Sequence, residues 1–188
     1  INPSKKDTDI VSEIKLSFEK NSNNVLTCSY EKVSINKNDI INKVYYASSR
    51  YLVQEFFSIS KCLIVDIDSL FLKNFNFPSE DLGFLLVDRP IPLNVRAGCF
   101  YYTKNAKKFI KFNNRLIMHL FYKGYGWFTD QFSLFISYEK FKNEISIFKF
   151  DNNFLSKSTQ NNPVLLTNRK DEDKKDNKEF EKIYREYL

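Results

Sequence analysis

Two carboxylates, Asp66 and Asp68, stand two residues apart at the end of the apolar run KCLIV at 61–65. A short run rich in β-branched residues reads as a strand buried on both faces of a sheet. Open α/β sheets bind ligands at the carboxyl ends of such strands. Acids left unpaired there are costly. A divalent cation offsets that cost by oxygen coordination, and Mg²⁺ or Mn²⁺ held this way binds ligand phosphates. The pair also reads as a strand-ending turn with two solvated acids, because Asp-x-Asp is common.

Other candidate residues are few. Thr129-Asp130 precedes an apolar helical pattern, so Asp130 is either a helix cap or a site acid. Asp88-Arg89 reads as a strand-end ion pair of small consequence. Tyr101 and Tyr102 read as core in a chain with 19 Phe and 11 Tyr. The single histidine, His119, falls mid-helix and off the apolar stripe, which suggests a surface residue. One histidine and no Gly-x-Ser-x-Gly give little support to nucleophilic catalysis of the Ser/Cys-His-Asp kind. Cys28, Cys62 and Cys99 are odd in number and far apart, as expected of reduced thiols rather than disulfides or metal ligands.

The elements that must position these residues follow from periodicity. Ile10, Ile14 and Phe18 have helical spacing within 8–20, and 24–28 reads as a short strand. Ile40, Ile41, Val44, Tyr45, Ser48, Tyr51, Leu52 and Phe56 form one stripe, so 37–58 is expected to be a helix. Strands are expected at 61–66, 69–73, 82–87 and 95–102, the last two separated by the two-proline stretch DRPIPLN. Helices are expected at 104–123, ended by GYG, and at 128–141. Residues 145–150 and 163–167 read as strands and 152–162 as a polar loop. This alternation predicts an α/β fold with 61–66 as the central strand of a mixed or mainly parallel sheet. The tail 169–188 balances seven basic residues against seven acidic ones and carries an amphipathic stripe, which suggests a docked helix.

The 188 residues suit one domain, and 43% hydrophobic with 28% charged residues excludes a wholly disordered chain. No apolar run reaches the ~18–20 residues of a membrane helix, and no secretory signal is evident, so a cytoplasmic setting is expected. A chain starting at Ile1 is expected to be a piece of a longer one. The net charge of +6 suits phosphate-bearing partners. The basic residues are scattered among acids, so nucleic acid is not the expected partner.

The segment KCLIVDIDSLFLKNF resembles the Asp-x-Asp segment of GT-A glycosyltransferases, especially the glycogenin-like and lipopolysaccharide-galactosyltransferase-like group. Three further segments match in order. YYASSRYLVQEFFSISKCLIVDID is similar to the helix that bears a basic residue before the motif. VRAGCFYY resembles the family's Asn-Ser-Gly-Val strand, and GWFTDQFSLF its Asp-Gln segment. The likeness spans about residues 45–135.

The resemblance implies a GT-A-like (Rossmann-like), mainly parallel sheet with helices on both faces, formed by 1–168 and followed by a helix at 169–188. It implies a retaining hexosyltransferase that uses a nucleotide-sugar donor, most simply a UDP-sugar, with Mn²⁺ or Mg²⁺. The acceptor, whether glycan, lipid or protein, stays open. Asp68 would bind the metal directly, and Asp66 would reach the metal or the ribose. Arg50 would face the diphosphate or the donor sugar. Asp130 and Gln131 would be the catalytic pair lining the sugar site. Gly98 would allow close backbone approach, and Arg96 would add a phosphate or acceptor contact. Asn168 would stand in for the family's late metal-ligating histidine, with Arg169 and Lys170 meeting the phosphates or opening a solvated charge run. The chain departs from the family in Arg96-Ala97-Gly98, where the family has Asn-Ser-Gly, and in its missing first strand. Two other classes compete: a catalytically degenerate GT-A-like binding domain of a larger protein, and a nucleic-acid-binding protein.

Overall fold

The computed structural model describes residues 39–52, 54, 60–66 and 68–168, with isolated helical positions at 9, 12, 16, 178, 182, 183 and 185. The chain divides into two compact units, Ile1–Asp39 and Ile40–Leu188. The expected strand at 24–28, and most of the expected helices at 8–20 and 169–188, lie outside the described residues.

Helix α1 is Asp39–Leu52. Its stripe buries Val44, Ser48 and Tyr51 at spacings of four and three. Strand β1 (Lys61–Val65) pairs antiparallel with β4 (Val95–Thr103). Strand β3 (Leu82–Leu86) pairs antiparallel with β4 and parallel with β5 (Ile147–Lys149). The order is β1-β4-β3-β5. A second sheet, β2-β7-β6, joins β2 (Ser69–Phe71), β7 (Leu165–Thr167) and β6 (Leu155–Ser156). Here β2–β7 is antiparallel and β6–β7 parallel.

The protein is a mixed α/β fold, but three expectations need correcting. The described sheets are not mainly parallel. The link between β3 and β4 is a short loop without a crossover helix, so β4 must return antiparallel. Nor is the 61–66 strand central. Among the described residues β1 stands at one end of its sheet, and β4 and β3 are the inner strands. The described helices do not cover both faces either. Tyr51 of α1, Phe109, Ile110 and Ile117 of α2 (Lys107–Tyr122), and Leu134 and Phe141 of α3 (Thr129–Phe141) share one core with Phe84, Phe100 and Tyr102. The opposite face, with Leu85, Cys99 and Tyr101, is covered by Phe150, Phe154 and Leu165. Among the described residues large aromatic rings, not a helix, fill that layer: Phe150 and Phe154 lie 4.4 Å apart, and Phe77 and Tyr101 5.5 Å.

Two devices fix the elements that carry the site. The Tyr51 ring packs 6.0 Å from Phe100 and its hydroxyl donates to the Ala97 carbonyl, which ties α1 to β4. Between α2 and α3, the Ser133 and Ser137 hydroxyls both donate to Asn113 Oδ1, so small residues let the helices approach closely. Among the described residues no helix is long and apolar enough to cross a membrane.

Candidate functional site

A cavity of about 680 Å³ opens at the carboxyl end of β1, within the size range of small-molecule sites. Its first feature is a single guanidinium shared by two acids. Arg50, in the last turn of α1, donates through Nη1 to Asp66 Oδ1 and through Nη2 to Asp130 Oδ2 at 3.0 Å. A planar fork suits this bridging, and Lys could not reproduce it. Burial opposes the charge on Arg50, but Tyr51, Asp66 and Asp130 around it raise its pKa above the ordinary value. Burial also raises the Asp130 carboxyl above the usual range, against the pull of Arg50 and the Gln131 N–H.

Gly98 makes room for this arrangement. The Asp66 N–H donates to the Gly98 carbonyl at 3.2 Å. A Cβ on Gly98 would lie 2.8 Å from Asp66 Cγ, so only glycine leaves space for that carboxylate. The local chain path explains why β4 comes so close. From Phe84 to Leu86, β3 advances two residues while its partners on β4 run from Phe100 to Val95. The surplus residues form an irregularity of the kind found beside active sites, and they carry Arg96, Ala97 and Gly98 into the cavity wall.

Asp68 is exposed and lines the cavity. The second sheet sets its neighbour: β2 and β7 run antiparallel, and the Asn168 N–H donates to the Asp68 carbonyl at 2.8 Å. Among the described residues, the buried Asn168 Oδ1 has no hydrogen-bond partner, and neither has Ser69 Oγ, one residue from Asp68. Ile67 lies outside the described residues.

Asp130 is not the helix cap. The cap position of α3 is Phe128, which makes no side-chain cap bond, and Asp130 turns its side chain to Arg50. Gln131 lines the cavity and donates from Nε2 to the Val95 carbonyl at 2.8 Å, joining α3 to the start of β4.

The cavity thus gathers Arg50, Asp66, Asp68, Arg96, Gly98, Asp130 and Gln131, and Asn168 is held beside it. Arg169 and Lys170 lie outside the described residues. His119 is exposed on α2, and Asp88 and Arg89 are exposed away from the cavity lining. Tyr101 and Tyr102 are core residues. Sequence reasoning missed the Trp127 and Phe128 rim and Lys157, which also line the cavity. A Trp-Phe pair directly before Thr129-Asp130 was the available signal.

Among the described residues no three His, Cys, Asp or Glu side chains cluster as metal ligands. The donors present among the described residues are oxygens: Asp66, Asp68 and Asn168 Oδ1. Hard oxygen donors fit Mg²⁺ or Mn²⁺ and would not suit a soft metal.

Fold and site together define a mixed α/β protein with a charged, ligand-sized cavity at strand ends. No protein-family model matches this chain, and no curated protein or solved structure matches it either.

Proposed function

We propose that the chain is a metal-dependent glycosyltransferase that moves a hexose, with retention, from a nucleotide-diphosphate donor, most simply a UDP-sugar. One observation carries the reading. Arg50, the Asp66/Asp68 pair, Gly98 and Asp130-Gln131 are scattered over about eighty residues, yet all line one cavity.

Asp68, Asp66 and Asn168 would hold Mn²⁺ or Mg²⁺, which supplies neutralising charge for a diphosphate leaving group. The chain's own residues do the remaining work. Arg50 keeps Asp66 and Asp130 in fixed orientations and adds positive charge near the diphosphate. Arg96 adds a second cation to the cavity wall. Asp130 and Gln131, on the first turn of α3, orient the transferred sugar through its hydroxyls.

Calorimetry of UDP binding, with and without Mn²⁺, tests this in wild type and Asp68→Asn. Wild type is expected to bind UDP more tightly with Mn²⁺, and the variant to lose that tightening with its metal-free melting temperature unchanged. Equal, metal-independent binding in both would mean that Asp66 and Asp68 only end a strand.

A second reading is a binding domain without turnover. It is favoured by the engagement of Asp66 Oδ1 with Arg50, which leaves that acid less available to a metal. Binding of UDP-sugar with neither transfer nor hydrolysis would select it.

A further inference from the structure

The turn between α2 and α3 carries Tyr125, Trp127 and Phe128, which are 52%, 59% and 41% exposed. Other aromatic residues are exposed singly, such as Tyr122 and Phe71, but here three large aromatic side chains fall within four residues at a cavity rim. Trp127 and Phe128 line the cavity, and their rings lie 6.2 Å apart at 66°.

The turn is held rather than loose. At its start the Tyr125 N–H donates to the Leu120 carbonyl at 3.1 Å. At its end Thr129 Oγ1 donates to the Gly126 carbonyl at 2.7 Å. Phe128 has φ 75°, the left-handed region that a bulky residue rarely occupies. That conformation costs about 1–2 kcal/mol. Phe128 remains 41% exposed, so its packing offsets only part of that cost. Strain of this kind, kept by a pinned turn at a cavity rim, points to a ligand.

We infer that Trp127 and Phe128 form a stacking platform for a hexopyranose of the acceptor, so that the acceptor is a saccharide. This rests on the glycosyltransferase reading of the same cavity. A pyranose has one face rich in C–H groups and a rim of hydroxyls. The face buries well on an aromatic ring, and the rim needs polar partners. The cavity supplies both side by side: Trp127 and Phe128, then Gln131 and Arg96. A lipid chain or apolar peptide would cover the Arg96 guanidinium without offering it a polar partner. A nucleobase also stacks on aromatics, but position disfavours it. Trp127 is three residues from Asp130, which the proposed reading puts at the sugar, and in that reading the base would lie beyond the diphosphate and Asp68.

Trp127 is the only tryptophan in the chain, so its emission reports this platform alone. The experiment titrates lactose, maltose and cellobiose, each to about 100 mM, well past the ~1 mM affinity of a weak specific site. At least one is expected to shift or quench the emission saturably. Phe128→Ala is expected to weaken that response about tenfold, a loss of about 1.4 kcal/mol. Phe128→Gly should weaken it equally while keeping or raising the melting temperature, because glycine relieves the φ strain. UDP–Mn²⁺ binding, followed by calorimetry, should be unchanged in Trp127→Ala.

If no disaccharide perturbs the emission while UDP–Mn²⁺ still binds, the platform is overturned and the donor reading stands. A response to uridine alone, with none to the disaccharides, also overturns it. Loss of UDP–Mn²⁺ binding in wild type would instead sink the donor reading beneath it.

Discussion

At residue scale, Gly98 and Asp66 form one unit: the carboxylate occupies the space where a Cβ would be. Gly98→Ala is expected to cost about 1–3 kcal/mol of stability through overpacking. It should also displace Asp66 from Arg50 and weaken UDP–Mn²⁺ binding; an unchanged affinity would detach Asp66 from the site. Removing the shared cation should be felt at both acids. Arg50→Gln is expected to cost about 2 kcal/mol, below the figure for a fully buried pair because the Asp66 side is open to water. A denaturant midpoint measures it. Asp130 gives a pH signature. Its pKa is raised in the folded state, so it binds its proton more tightly folded than unfolded. Its contribution is therefore full below the unfolded pKa and fades as pH rises through the folded one. Wild type should gain stability relative to Asp130→Asn as pH falls from about 7 to about 4. Movement the other way would mean that Arg50 outweighs burial. Part of this was legible in sequence, because an Asp-x-Asp after an apolar strand marks two acids at one strand end, and both line the cavity. The sharing of Arg50 with Asp130 was not, because eighty residues separate them and no local pattern encodes the pairing.

At the scale of elements, the Tyr51 side chain ties α1 to β4. Tyr51→Phe keeps the ring against Phe100 and removes only the donor to the Ala97 carbonyl. The expected loss is about 1–2 kcal/mol by urea unfolding. No change would show that packing alone fixes the helix. The existence of α1, α2, α3 and the longer strands was readable, because each has its own pattern: Val44, Ser48 and Tyr51 at helical spacing on one face, and an unbroken apolar run before Asp66. Strand direction was not readable. A continuous apolar run fits parallel and antiparallel partners alike, and only the short β3–β4 link decided it. Strand β6 was hidden in a stretch that reads as polar loop, because a two-residue strand has no period. Its pairing with β7, and that of β7 with β2, set Asn168 beside Asp68. The register of that second sheet turned a position guessed from chain order into a spatial neighbour.

For the whole molecule, aromatic rings set the layers: one core of Phe84, Phe100 and Phe109 beneath the helices and another of Phe150 and Phe154 on the other face. The cavity lies where the two sheets and the start of α3 meet, drawing Asp66 and Gly98 from one sheet, Thr167 from the other and Asp130 from the helix. Composition could indicate a basic molecule suited to phosphate, with 29 basic and 23 acidic residues, but not this junction. The central claim is that the junction binds a nucleotide diphosphate through a metal at Asp68. Crystals soaked with Mn²⁺ and UDP test it most directly. An anomalous peak in contact with the Asp68 carboxylate and the UDP diphosphate is the predicted result. UDP bound in the cavity without a peak at Asp68, or a peak only elsewhere on the molecule, would contradict it.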